Sequence, residues 1–225
     1  MNKKIIKYSL VFLSYFFYEV LVLVILNILK IDLSNADYLH KNIYFFLVDI
    51  IYMIFVIFIF RKDLKEDLKD FKKNGFDLIF KFLPIYILGL ILMGVSNTIL
   101  INITGMELST NEENVRTLIK YYPIYMAFSS VIYAPIVEEL IFRKSIKNIV
   151  DNKFAFILTS GIIFGLVHVI SSGNESFNEF LMGIPYIIMG IDFAYIYSKS
   201  KNIFTTISIH SLHNLVLLII QLIGG

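Results

Sequence analysis

Residues 42–60 read NIYFFLVDIIYMIFVIFIF, and residues 77–103 read DLIFKFLPIYILGLILMGVSNTILINI. Coiled as helices at about 1.5 Å per residue, each is long enough to cross the roughly 30 Å of hydrocarbon in a bilayer. Neither alternates with a period of two, both are too long for strands, and an open sheet edge has no partners in lipid. The two runs therefore predict membrane-spanning helices. The segment between them, Arg61 to Lys73, mixes six basic with four acidic residues around Leu64, Leu68 and Phe71. That pattern predicts a solvated, lipid-skimming linker helix near residues 61–76.

Working outward, comparable runs occupy Ile5 to Leu29, Tyr121 to Val137 leading into a further helix, Phe154 to Ile170, Phe180 to Tyr197, and Ile203 to Ile223. The expectation is an all-α, polytopic transmembrane bundle of about seven spans, or eight if the helix after Val137 counts separately. Hydrophobic residues make up 57% of the 225 residues and charged ones only 17%, which removes the water-soluble classes from contention. The first run is too long for a signal-peptide core and lacks a small-residue cleavage site, so it reads as retained.

Fifteen of the twenty Lys and Arg residues fall on one side of this topology: before the first span and in 61–76, 143–153 and 198–202. The positive-inside rule then places the amino terminus in the cytoplasm, and an odd number of spans puts Gly225 on the far side. Topology accounts for the basic residues, so the net charge of +2 gives no reason to expect a nucleic-acid partner. With no cysteine, disulfides, thiol catalysis and cysteine-bound metals are excluded.

Ionisable groups inside spans cost at least about 2.5 kcal/mol at a helix centre, so each asks for a reason. They are Glu19, Asp49, Glu138, Glu139, Arg143, His168, Asp192, His210 and His213. Glu138 and Glu139 stand roughly 100° apart on a helix and should have different jobs. Glu139 and Arg143, at i and i+4, predict an ion pair, which leaves Glu138 as the free carboxylate. Pro135 interrupts the backbone ladder just before them. The plainer reading of this cluster is a set of side chains snorkelling to the headgroups. His168 weighs against it, because in a hairpin turning near Asn152 and Lys153 it lies level with Glu138. On the last run His210 and Asn214 share a face and His213 points elsewhere. Depth counting puts His210 nearer the cytoplasmic end than His168. Packing is the expectation for Asp192, in a Gly190-x-x-x-Ala194 spacing, and for Glu19 and Asp49.

Glu138-Glu139-x-x-x-Arg143, Phe164-x-x-x-His168 and His210-x-x-x-Asn214, in this order on successive helices, resemble the CPBP family of CAAX-protease and bacteriocin-processing (Abi) intramembrane peptidases. The resemblance covers roughly Tyr121 to Gln221, so that 1–120 reads as amino-terminal helices and 121–225 as a catalytic core within one membrane domain. It implies peptide-bond hydrolysis in which Glu138 and His168 activate water, His210 and Asn214 form the oxyanion hole, and Glu139 and Arg143 support them. No cofactor is favoured; the alternative is zinc held by Glu138, His168 and His210. The implied partners are the lipid bilayer and a membrane-associated peptide or protein substrate, in a bacterial plasma membrane. Two other classes stay open: a non-catalytic immunity or adaptor protein, and a transporter using Glu19, Asp49 and Asp192 as a relay.

Overall fold

In a computed structural model, residues 3–28, 30, 37–170 and 176–224 are described. Leu29, where the first predicted run ends, the Glu19 side chain and Gly225 lie outside them. The elements are α1 (Lys3–Ile28), α2 (Tyr38–Thr104), α3 (Thr110–Tyr121), α4 (Pro123–Ile149), α5 (Lys153–Ile170), α6 (Phe177–Met182), α7 (Ile184–Ser200) and α8 (Ile203–Gly224). The described residues form no strand, and the chain is an all-α polytopic helical protein. Among the described residues five helices are long and apolar enough to cross a membrane, or six if α1, bent by 57° near Glu19, counts as one span. Counted helix by helix this is fewer than the expected seven, because the 42–60 and 77–103 runs lie in one unbroken helix, α2.

A straight helix of 67 residues would be about 100 Å long, yet α2 cannot be straight. Tyr38 at its start stacks on Tyr122 at 5.2 Å, and Thr104 at its end is joined to Tyr122 through the short helix α3. Both ends therefore lie at the same end of the bundle, and the charged middle lies at the other. There Asp67 accepts from Lys144 Nζ and, at 3.3 Å, from the Ile203 amide, while Asn202 Nδ2 donates to Asp70 at 2.8 Å. The linker segment is thus docked on the ends of α4 and α8.

The first arm of α2 packs on α1 through the Tyr18–Tyr52 stack at 4.3 Å and the Tyr8–Phe60 stack at 5.5 Å. It holds α4 through Asp49, which accepts from Tyr125 Oη at 3.0 Å and Ser129 Oγ at 3.1 Å. The second arm packs on α7 and α8. Deepest in the bundle, α5 and α7 run antiparallel with their backbones nearly touching. A Cβ on Gly161 would stand 2.7 Å from the Ile191 nitrogen, and one on Gly165 2.6 Å from the Ile187 nitrogen. Lipid tails are as apolar as a leucine side chain, so helices gain little from burying apolar surface against each other; small residues that admit close contact hold them instead. The sequence pattern singles out Gly190 and Ala194 for this role. A Cβ on Gly190 would stand 2.8 Å from the Gly161 carbonyl oxygen, but the matching pair is Gly161-x-x-x-Gly165 on α5. Asp192, buried one turn away, abuts Gly89 of α2.

Candidate active site

The site begins with an irregularity in α4, which widens to π-helical turns at Ser129–Tyr133 and again at Glu139–Ser145. Each such turn accommodates one extra residue and rotates the rest of the helix by about 100°, and π turns recur at functional sites. The first has a local cause. The Ala134 amide bonds to the Ser129 carbonyl, so the Ser130 carbonyl should receive the next amide in the π ladder, which is Pro135 and carries no N–H. That orphaned carbonyl accepts instead from Asn214 Nδ2 of α8 at 2.7 Å. The proline bends the ladder without ending the helix, and it ties α4 to the asparagine one turn beyond His210.

The two wide turns flank Glu138, whose side chain keeps 13% of its exposure, whereas that of Glu139 keeps none. Glu139 is enclosed by two cations or potential cations. Arg143 Nε lies 3.3 Å from one carboxylate oxygen, and His210 Nδ1 lies 3.0 Å from the other. Arg143 is itself wholly buried, with its guanidinium 4.6 Å over the Phe164 ring and Nη1 donating to Ser160 Oγ at 3.3 Å. An ionised carboxylate only accepts, so the bond to Glu139 places a proton on His210 Nδ1 and turns Nε2 toward Glu138, 3.9 Å away. The snorkelling reading fails here, because these charges point inward.

His168 approaches from α5. Its Nδ1 is 2.8 Å from the Phe164 carbonyl, again a pure acceptor, which leaves Nε2 as the unprotonated nitrogen of the neutral ring. Tyr186 of α7 stacks on one face of this imidazole at 4.8 Å and 16°. The Phe164 ring lies 4.6 Å from His168 and 6.0 Å from His210. This ring spans the depth difference that residue counting places between the two histidines.

Glu138, His168, His210 and Asn214 all line one cavity of about 470 Å³. So does His213, which was expected to point elsewhere; its Nδ1 lies 3.2 Å from Tyr86 Oη of the second α2 arm. Among the described residues no ion pair joins Glu138 to His168, the contact that hairpin counting suggested, and the basic group beside Glu138 is His210. Four methionines (Met93, Met126, Met182 and Met189) give part of the remaining wall an adaptable apolar lining. Two further residues had no distinguishing signal in the sequence. Tyr186 was one aromatic among many. Glu179, wholly buried, follows Ser176 in a spacing typical of a local helix cap, but its carboxylate reaches Thr110 of α3.

The zinc set raised from the sequence does not assemble. Among the described residues no group of three or more His, Cys, Asp or Glu side chains is placed to hold a metal ion.

Comparison with known proteins adds to this geometry. Residues 120–216 match the model of the family described as type II CAAX prenyl endopeptidase Rce1-like. The Bacillus subtilis protein named "Putative membrane peptidase YdiL" is 30% identical over 76% of this chain and 68% of its own length. The membrane-embedded CAAX protease MroQ of Staphylococcus aureus is 32% identical over 53% of this chain and 48% of its own. An uncharacterized protein of Mycoplasma capricolum is 32% identical over 84% of this chain and 59% of its own. No solved structure matches the chain. With matched residues that include Glu138, Glu139, Arg143, His168, His210 and Asn214, this integral membrane chain belongs to the Rce1-like family of type II CAAX prenyl endopeptidases, a family of membrane proteases.

Proposed function

We propose that the chain is an intramembrane endopeptidase in which Glu138 is the general base. The observation that supports this most is the contrast between the two adjacent carboxylates. Glu139 is consumed by Arg143 and His210, while Glu138 opens on the cavity beside His210 and shares its lining with His168.

In this reading a water held between Glu138 and His168 Nε2 gives its proton to Glu138 as its oxygen attacks the scissile carbonyl. The tetrahedral intermediate's oxyanion accepts hydrogen bonds from Asn214 and from His210, which acts as the imidazolium with N–H groups at both Nδ1 and Nε2. One N–H of the Asn214 amide is engaged by the Ser130 carbonyl, which fixes the group and leaves the second for the substrate. Collapse breaks the C–N bond, and the proton carried by Glu138 passes to the leaving amine. Glu139 and Arg143 take no part in these transfers; they fix the direction of His210. No metal has a step in this sequence. The substrate class is a membrane-associated peptide or protein, as the apolar, methionine-rich wall suits, entering a chain embedded in the bacterial plasma membrane with its amino terminus in the cytoplasm.

The test is cleavage of a membrane-peptide library by detergent-purified wild type and Glu138→Gln, each with and without a zinc chelator. Activity is expected to fall by about 10² to 10⁴ in the variant and to survive the chelator. Equal activity in variant and wild type would overturn the assignment of Glu138. Loss with chelator would overturn the metal-free chemistry.

A further inference from the structure

Helix α3 lies across one end of the cavity, where Ser109, Asn111, Glu112 and Arg116 form part of the wall. It enters after a sharp turn at Gly105, whose φ of 71° suits glycine. Its seat is polar and specific. The buried Glu179 carboxylate accepts from the Thr110 amide at 2.9 Å and from Thr110 Oγ1 at 3.1 Å, and Gln221 Nε2 donates to Glu112 at 2.6 Å. A third tie runs inward. Tyr186 Oη shares a hydrogen bond with Ser109 Oγ at 3.1 Å and accepts from Asn111 Nδ2 at 3.3 Å. The ring of the same tyrosine covers the face of His168.

We infer that Tyr186 is a positioning residue that couples α3 to His168, so that the seating of this cap and the orientation of the imidazole are set together. The inference rests on the peptidase reading for its effect on turnover. An imidazole has two freedoms once its Cβ is placed: rotation about its bond to Cβ, and choice of tautomer. The Phe164 carbonyl fixes the tautomer, and the stack on Tyr186 fixes the ring plane. Tyr186 is in turn held at its hydroxyl by two residues of the cap. A displacement of α3 therefore moves the ring against which His168 rests, and Nε2 leaves the line it holds toward the cavity.

Two readouts test this in detergent-solubilised full-length protein: turnover of a cleaved membrane peptide, and ¹⁵N NMR of the histidine rings, with His168 assigned by a His168→Gln difference spectrum. Wild-type His168 should show the Nδ1–H tautomer. Tyr186→Phe keeps the stack and breaks the tie to α3, so the signal should hold while kcat drops about tenfold and KM stays within about twofold. Tyr186→Leu should move the His168 signal toward a tautomer mixture and lower kcat about a hundredfold. In a His168→Ala background, Tyr186→Phe should lower the residual rate no further. Wild-type kcat in Tyr186→Phe, a His168 signal unmoved in folded Tyr186→Leu, or losses that multiply in the His168→Ala background would each overturn the inference. If Tyr186→Leu does not fold, Tyr186→Phe decides. If Glu138→Gln keeps full turnover, the assignment of Glu138 falls separately, and the NMR signals still report whether Tyr186 governs His168.

Discussion

The outer face of α1 and the inner face of α4 obey opposite rules. On α1, Leu10, Phe17, Leu21 and Leu23 are each about 60% exposed, while on α4 Glu139 and Arg143 are completely buried. A water-soluble protein would reverse both, since it hides large apolar groups and seldom buries charges fully. Exposed leucines satisfy a hydrocarbon surrounding and need little specificity. Buried charges have no such general solution, and each is held by named partners: Glu139 by Arg143 and His210, Glu179 by Thr110. Specificity is therefore concentrated where polarity is buried, and substitutions should divide along the same line.

The largest loss of stability is expected at Arg143. Arg143→Ala leaves the Glu139 carboxylate buried without its cation and should cost about 3 to 5 kcal/mol, read as a shift in denaturant unfolding. A cost under about 1 kcal/mol would show that the interior is wetter than the contacts imply. Next comes Gly165→Leu, where the new side chain meets the Ile187 backbone. Separation of α5 from α7 should cost about 1 to 3 kcal/mol and reduce activity as well, because His168 and Tyr186 ride on these two helices. At the far end of the scale, Phe17→Ala on the lipid-facing side should change stability by no more than about 0.5 kcal/mol. A large effect there would mean that this face meets protein rather than lipid.

The same division explains what could be read from the sequence. Apolar run length and the clustering of basic residues disclose helices and their order, because a bilayer imposes one thickness on all of them. Glu138, Glu139, Arg143, His168, His210 and Asn214 stand out because charge and amide groups are scarce in such runs. Three features were hidden. The docking of the charged middle of α2 depends on Asp67 and Asp70 meeting Lys144 and Asn202, which are distant in sequence. The first π turn depends on Asn214 rescuing a carbonyl that Pro135 abandons. The role of Tyr186 needs α3 and α5 to be placed on either side of it. Counting residues along ideal helices also left His213 away from the cavity that it helps to line.

In the proposed mechanism the two adjacent glutamates do different work, and side-by-side measurement of turnover and unfolding for Glu138→Gln and Glu139→Gln tests this most directly. Glu138→Gln should lose cleavage of a membrane peptide while unfolding within about 0.5 kcal/mol of wild type, and Glu139→Gln should lose both cleavage and stability. Cleavage retained by a folded Glu138→Gln protein, or full stability and activity in Glu139→Gln, would contradict the account.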